Sequence, residues 1–437
     1  MFQYYFRLGV RSLRRNPALT ALMVLTLAIG VAASVSTLTI LHVMSGDPIP
    51  HKSVRVFAPL IDGRPLEGYN PADTGWKDPQ LTYRDALALL AGLPGERRTV
   101  MYNVAAPLEP ARRDLPVMEL RGTAVTHGFF GIVEAPFLHG QPWGENEDQA
   151  GADVVVLSRA LAETLFGSAD PVGKRVRILG HDFQVVGVLK TWRVIPKYYR
   201  LGGAFESARE DDFYMPFNSA IRHETRSNGG TSCFHRREPG WQGLLDSECT
   251  WLQLLVETRT GAGRSDVQTW LDNYTSEQRK VGRFLRKAPN GVFDMVQWME
   301  FHHVVSDDSR LSAWLAFGFL LLCLVNTVGL LLAKFSARAA EVGVRRALGA
   351  SRRAIFAQCL TEAGVVGLAG GVAGLALSFG ALALIGMQSA EMQIVAHMDW
   401  QMLLLTFAMA LAAAMLAGLL PTWRACQVTP ALQLKSQ

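Results

Sequence analysis

The residues of this 437-residue chain that come nearest to a catalytic pattern lie between Gly167 and Lys174. Gly167-Ser-Ala-Asp-Pro-Val-Gly173-Lys174 resembles a loop that grips phosphate through backbone N–H groups and a lysine. It has one residue too many between its glycines, and Arg175 stands where Ser or Thr would hold magnesium. A turn between a helix and a strand accounts for it. His302-His303 and Asp307-Asp308 carry metal-ligating atoms, but no further ligand stands at diagnostic spacing. A solvated connector accounts for them better than a metal site does. No GxSxG, HExxH or catalytic carboxylate pair stands out. The pair Cys233 and Cys249 flanks a Gly/Ser/Arg-rich stretch. The two either bridge, closing a short loop worth about 3 kcal/mol, or remain free thiols.

A different capability, transmission of force, is suggested by Arg338-Ala-Ala-Glu341-Val-Gly343-Val-Arg345-Arg346-Ala-Leu348-Gly349-Ala-Ser351-Arg-Arg353. Ala337, Ala340, Val344, Ala347 and Leu348 recur at helical spacing and make one apolar face. Glu341 and Arg345 are an i, i+4 pair in the favourable order. Gly349 can end this helix and Ser351 can cap the next. A short stiff helix between two membrane spans can pass a push from a partner to both. The same arginines would also suit a helix that lies on lipid headgroups.

The elements that position this link are four apolar segments, at 18–44, 311–333, 355–386 and 400–420, each able to reach the roughly 20 residues that span a bilayer. Hydrophobic content of 49% is concentrated in them. Residues 45–310, between the first two, form a polar insert of domain size. The formal net charge is +5, and basic residues bunch beside the spans: Arg7, Arg11, Arg14 and Arg15, the 334–354 link, then Arg424 and Lys435. The 387–399 link has no Lys or Arg. Positive-inside logic puts the 1–17 lead-in, the 334–354 link and the 421–437 tail in the cytoplasm, with 45–310 and 387–399 outside. Charge clustered at membrane edges calls for no nucleic-acid partner. The first apolar run exceeds the core of a cleaved signal, so it reads as an uncleaved anchor.

The insert reads as mixed α and β. Strands are expected at 53–60, 99–105, 117–125, 153–157, 175–179, 183–189, 212–217 and 251–258, and helices at 82–93, 159–166 and 265–281. Ser158 should cap the helix that Gly167 ends. Gly180-His181-Asp182 reads as a hairpin turn. Residues 204–248 read as irregular. In the third span, Gly367, Gly370, Gly371 and Gly374 let helices approach closely, across a dimer seam or within one subunit. Asn326 suits an interhelical hydrogen bond, and Glu362 suits a link arginine.

The stretch Glu341-Val-Gly-Val-Arg-Arg-Ala-Leu-Gly-Ala350 resembles the signature of MacB/FtsX-type (type VII) ABC transporter permeases. Further similar stretches run from Leu8–Pro17 through Val154–Lys174, Val185–Val188 and Tyr214–Pro216 to Glu362-Ala363, Gly370-Gly371, Gly374, Pro421, Arg424, Ala425 and Pro430. The resemblance implies a four-helix integral membrane permease with a large α+β extracytoplasmic core domain, in the bacterial inner membrane. It implies a homodimer or heterodimer on two copies of a cytoplasmic ATPase, which would hold ATP and Mg, with no cofactor or catalysis in this chain. Helix 338–348 would be the coupling helix, with Glu341, Val344, Arg345, Arg346, Leu348 and Gly349 at the ATPase. Such permeases work by mechanotransmission, here for export or extrusion of a substrate, with a periplasmic adaptor as a further partner. The sequence differs from MacB in having no fused ATP-binding domain, and at 204–249. A regulator of a periplasmic protein and a passive membrane receptor are the alternatives.

Overall fold

The computed structural model describes residues 16–70, 80–112, 114–199, 210–286, 289–305, 307–387 and scattered positions between 404 and 423. These fall into a globular unit, Gly46–Val304, and a helical unit formed by the segments on either side of it in sequence.

The globular unit is built on a ten-stranded mixed sheet. Its strands are β1 (Val56–Leu60), β2 (Arg97–Glu109), β3 (Met118–Val125), β4 (Phe137–Gly140), β5 (Val154–Leu157), β6 (Arg175–Ile178), β7 (His181–Leu189), β8 (Phe213–Pro216), β9 (Gln253–Glu257) and β10 (Gly291–Asp294). The order is β10-β1-β9-β2-β3-β8-β5-β7-β4, with β6 bridging β2 and β7. Among the described residues, only β3–β8 and β5–β7 pair in parallel. The long β2 is the organiser, set antiparallel to β3 from Met101 opposite Val125 to Leu108 opposite Met118. All four residues of β5 are buried, which is why that run is uniformly apolar instead of alternating.

Helices cover the sheet. Thr82 caps α1 (Tyr83–Gly92) by accepting from Asp85 N. Next come α2 (Phe129–Val133), α3 (Glu145–Gln149) and α4 (Arg159–Phe166), the last capped by Ser158 and ended by Gly167 at φ +64°. Then follow α5 (Phe217–Arg222), α6 (Gly240–Leu245), α7 (Gly263–Lys280) and α8 (Met295–Phe301). Phe57, Leu89, Val104, Leu157, Phe183, Phe213, Phe217 and Trp251 are buried in one core.

The structure corrects several expectations. The hairpin turn is Leu179-Gly180, both at positive φ (55° and 76°), and β7 already begins at His181. Positive φ at both central residues is what a type I′ turn requires. Besides the strand expected at 212–217, which is β8, the span read as irregular, 204–248, holds the helices α5 and α6. These elements are too short for periodicity to register. Residues 53–55 form a 3-10 turn ahead of β1.

In the helical unit, three helices among the described residues are long and apolar enough to cross a membrane: α9 (Pro17–Ser45), α10 (Asp307–Ser336) and α12 (Arg352–Gly386), with α11 (Ala339–Ala347) between the last two. Each long helix extends past its expected apolar segment, and the globular unit ends at 304 instead of 310. The expected fourth span, 400–420, lies largely outside the described residues. Within it Met409 and Gly418 are helical, Met409 packing with Leu27, Val31, Val35 and Leu320, and Gly418 lying against Ala363. The expected segments 1–15, 388–399 and 424–437 lie outside the described residues.

Helix α9 packs against both α10 and α12. Small residues allow this. A Cβ on Gly30 would sit 2.9 Å from Cys323 Cβ, and one on Gly370 would sit 2.7 Å from Leu27 Cδ2. One on Gly374 would meet Val31 at 3.1 Å. Gly367 and Gly371 are buried too. Gly370 and Gly374 therefore serve packing within one chain. Asn326 is exposed on α10 and forms no bond to another helix among the described residues.

Candidate functional site

The link between α10 and α12 is shaped by local rules that the sequence displays. Ala350 N donates to Arg345 O (3.0 Å) and Gly349 N to Arg346 O (3.1 Å), the paired bonds of a Schellman stop. Gly349 takes the left-handed conformation this needs, φ +97°. Ser351 Oγ then accepts from Ala354 N (3.2 Å) and starts α12. The 35 residues of α12 extend about 52 Å at 1.5 Å each. That exceeds the ~30 Å hydrocarbon core. The end rich in Arg352, Arg353, Gln358 and Glu362 is the one suited to project.

Helix α11 has two unlike faces. The inward face carries Arg338, Val342 and Arg345, spaced i, i+4, i+7. Val342 and Ala350 pack with Met23, Leu331, Phe335 and Ile355. Arg345 donates to Gln358 Oε1 (2.9 Å) on α12 and to Glu341 Oε1 (2.7 Å) on its own helix. The second pair is half exposed and is worth only a few tenths of a kcal/mol. Arg338 Nη1 donates to Glu362 Oε1 at 3.2 Å. Lys334 Nζ, fully buried on the last turn of α10, lies 2.6 Å from the same oxygen. One carboxylate thus serves two cations in an apolar setting. Removing it would orphan a buried ammonium, a loss of about 3–5 kcal/mol in comparable buried pairs.

The outward face is apolar and uncovered. Val344 is 55% exposed and Leu348 82%. Ala347 and Gly349 are exposed beside them. Exposing Leu on a helix that has a core within reach costs burial worth about 2 kcal/mol. Of the residues expected at a partner, Val344, Leu348 and Gly349 face outward, Arg346 is half-buried, and Glu341 and Arg345 take part in the link's own ties.

The remaining sequence candidates separate cleanly. Gly167–Lys174 is a helix-to-strand turn, with the Lys174 ammonium 4.9 Å from the Phe166 ring. No cluster of three metal-ligating side chains occurs among the described residues, His302 and His303 included. His302 packs against Trp298, and burial lowers its pKa to about 4. Cys233 and Cys249 are bonded to each other, Cys233 exposed and Cys249 buried. Their loop is fastened beneath by Arg283, which bonds Glu248 and Asp85 together. Lys334 was not singled out by the sequence. A lysine ending an apolar span ordinarily reaches for the headgroups, and nothing local marks this one as turned inward.

Family models and known relatives agree with one another. Residues 20–274 match the family described as MacB-like periplasmic core domain, and residues 313–430 match the FtsX-like permease C-terminal family. The chain is 23% identical over 309 residues to the uncharacterized ABC transporter permease YknZ of Bacillus subtilis, covering 70% of this chain and 67% of that one. It is 24% identical over 433 residues to the macrolide export ATP-binding/permease protein MacB of Rhodospirillum rubrum, spanning 99% of this chain and 60% of the relative. The pyoverdine export ATP-binding/permease protein PvdT of Pseudomonas aeruginosa is 22% identical, with 70% and 41% covered. Among solved structures, the periplasmic region of MacB from Actinobacillus actinomycetemcomitans matches at a TM-score of 0.35 and 13% identity, over 56% of this chain and 92% of that one.

Proposed function

This chain belongs to the MacB-like, FtsX-like family of ABC transporter permeases, an export-type family, and we propose that it is a permease subunit that converts ATP hydrolysis by a separate cytoplasmic ATPase into movement of its extracytoplasmic globular unit. The observation that carries this reading is the uncovered apolar edge of α11, Val344 with Leu348, on a helix otherwise bolted to the spans. An apolar side chain left outward on a rigid, capped helix fits a groove on a protein partner. Lipid headgroups would favour the arginines, but here Arg338 and Arg345 are spent on Glu362, Gln358 and Glu341.

In this reading two permease copies engage an ATPase dimer, which binds ATP and Mg. Closure of the ATPases pushes α11, and α10 and α12 carry the stroke to the globular unit. That motion drives export or extrusion of a substrate from the periplasm or outer leaflet, with a periplasmic adaptor as a further partner. The chain itself makes and breaks no bonds.

The test is Leu348→Asp in the full chain. Losing about 2 kcal/mol of burial, before any cost of desolvating Asp, weakens ATPase association at least about 30-fold. Membrane insertion and the melting of the globular unit stay unchanged. Normal co-purification of ATPase with this variant would refute the docking role.

A further inference from the structure

The break between α10 and α11 has no cause in the local sequence. Ala333-Lys-Phe-Ser-Ala-Arg-Ala-Ala-Glu341 contains neither glycine nor proline and is rich in good helix formers. The helix nevertheless stops at Ser336 and restarts at Ala339, with Arg338 at φ −109°, ψ 12°. Tertiary contacts must therefore hold the bend.

Those contacts converge on one side chain. Glu362, 4% exposed, reaches Lys334 on the last turn before the break and Arg338 within it. Gln358, one turn earlier on the same face of α12, reaches Arg345 beyond the break. Three successive cations of the link are thus held from one stripe of one helix. The carboxylate is the only charged member of that stripe among the described residues, and it acts on the last turn before the break and on the break itself.

We propose that Glu362 is the positioning residue of this joint: it sets the angle at which α11 leaves α10 and ties that angle to α12. A load on Val344 and Leu348 then reaches two spans together instead of bending the link. The proposal rests on the reading above that α11 receives a stroke. Its geometric part stands without that reading.

The experiment uses the full chain in lipid nanodiscs. Spin labels go at Val325 and Ala347, both exposed, in a background where Cys323, Cys359 and Cys426 are alanine. A continuous helix would separate positions 325 and 347 by about 33 Å. The parent protein should give one narrow, shorter distance. Glu362→Gln should widen the distribution about twofold and extend it toward the continuous-helix value. Glu362→Asp should restore most of the narrow peak. Should Glu362→Gln fail to insert, Lys334→Gln with Glu362→Gln removes the orphaned ammonium and is read in the same way. A parent-like distance in whichever of the two inserts overturns the proposal.

Unlabelled Glu362→Gln should still capture the ATPase, yet lose the ATP-dependent change in hydrogen exchange of the globular unit. A retained change would overturn the coupling role. If the parent itself captures no ATPase, the proposed function fails, and the nucleotide-free distances still decide the geometric claim.

Discussion

Lys52 and Lys334 are both buried lysines, and the company each keeps differs. Lys52, in the globular unit, lies 3.0 Å from Glu257 and 3.5 Å from Glu134, and donates to Gly131 O at 2.8 Å. Glu257 also receives Arg97, and Glu134 receives His51. Carboxylates and permanent cations balance there, two against two. Lys334, in the helical unit, shares the Glu362 carboxylate with Arg338. The first cluster closes on itself and fastens the chain at residue 52 to β9 and α2. The second joins two helices, α10 and α12, beside a helix whose other face is uncovered. The contrast teaches that buried charge can be a fixed fastening in one place and the pivot of a working part in another.

The sharpest way to break this comparison is Glu257→Gln. It takes the nearer carboxylate from buried Lys52 and the Glu257 partner from Arg97, leaving Lys52 only Glu134 and Gly131 O, and the globular unit should lose about 3–5 kcal/mol. Thermal unfolding of the full chain, followed by tryptophan fluorescence, should fall by roughly 6–20 °C. A drop under about 2 °C would show that Lys52 is no fastening.

Acid offers a middle-sized test. Burial depresses His302 to about 4 in the folded state, against about 6.5 in an unfolded chain. The unfolded state therefore binds more protons between those values, so stability is full above about 6.5 and falls as pH drops toward 4. Hydrogen exchange at pH 7 and pH 5 should show α8 and its neighbours loosening, and His302→Phe should remove that loss. An unchanged pH response in His302→Phe would mean another group carries it.

The smallest effect belongs to the helical unit. Ser34 Oγ donates to Ala316 O across α9 and α10 at 2.9 Å. Ser34→Ala should cost only about 0.6 kcal/mol, the usual worth of such a bond within a bilayer. Unfolding in mixed micelles that revealed a loss above about 2 kcal/mol would mean that the helical unit depends on its polar contacts as heavily as the globular one.

Much of this arrangement was legible from residue order. Ser158 and Gly167 bracket α4 because a cap and a left-handed stop act within one turn. The same holds for Gly349 and Ser351 around the link. The short elements β4, β10, α2, α3, α6 and α8 gave no period to read. The hairpin turn was misplaced by one residue because Leu179, not His181, accepts the positive φ.

Local rules reach four residues along a helix and two along a strand. Within that reach, the sequence by itself determined the long apolar helices, the presence of a globular insert between the first two, the Glu341–Arg345 pair and the apolar spacing of Val344 and Leu348. It also required that Glu362, a carboxylate in an apolar helix, find a cation. Only the tertiary structure decided that the cations are Arg338, 24 residues away, and Lys334, turned inward. It alone decided that Gly370 and Gly374 meet Leu27 and Val31. Such pairings depend on how helices cross, and crossing is fixed by the fit of whole surfaces, which no window of neighbouring residues contains.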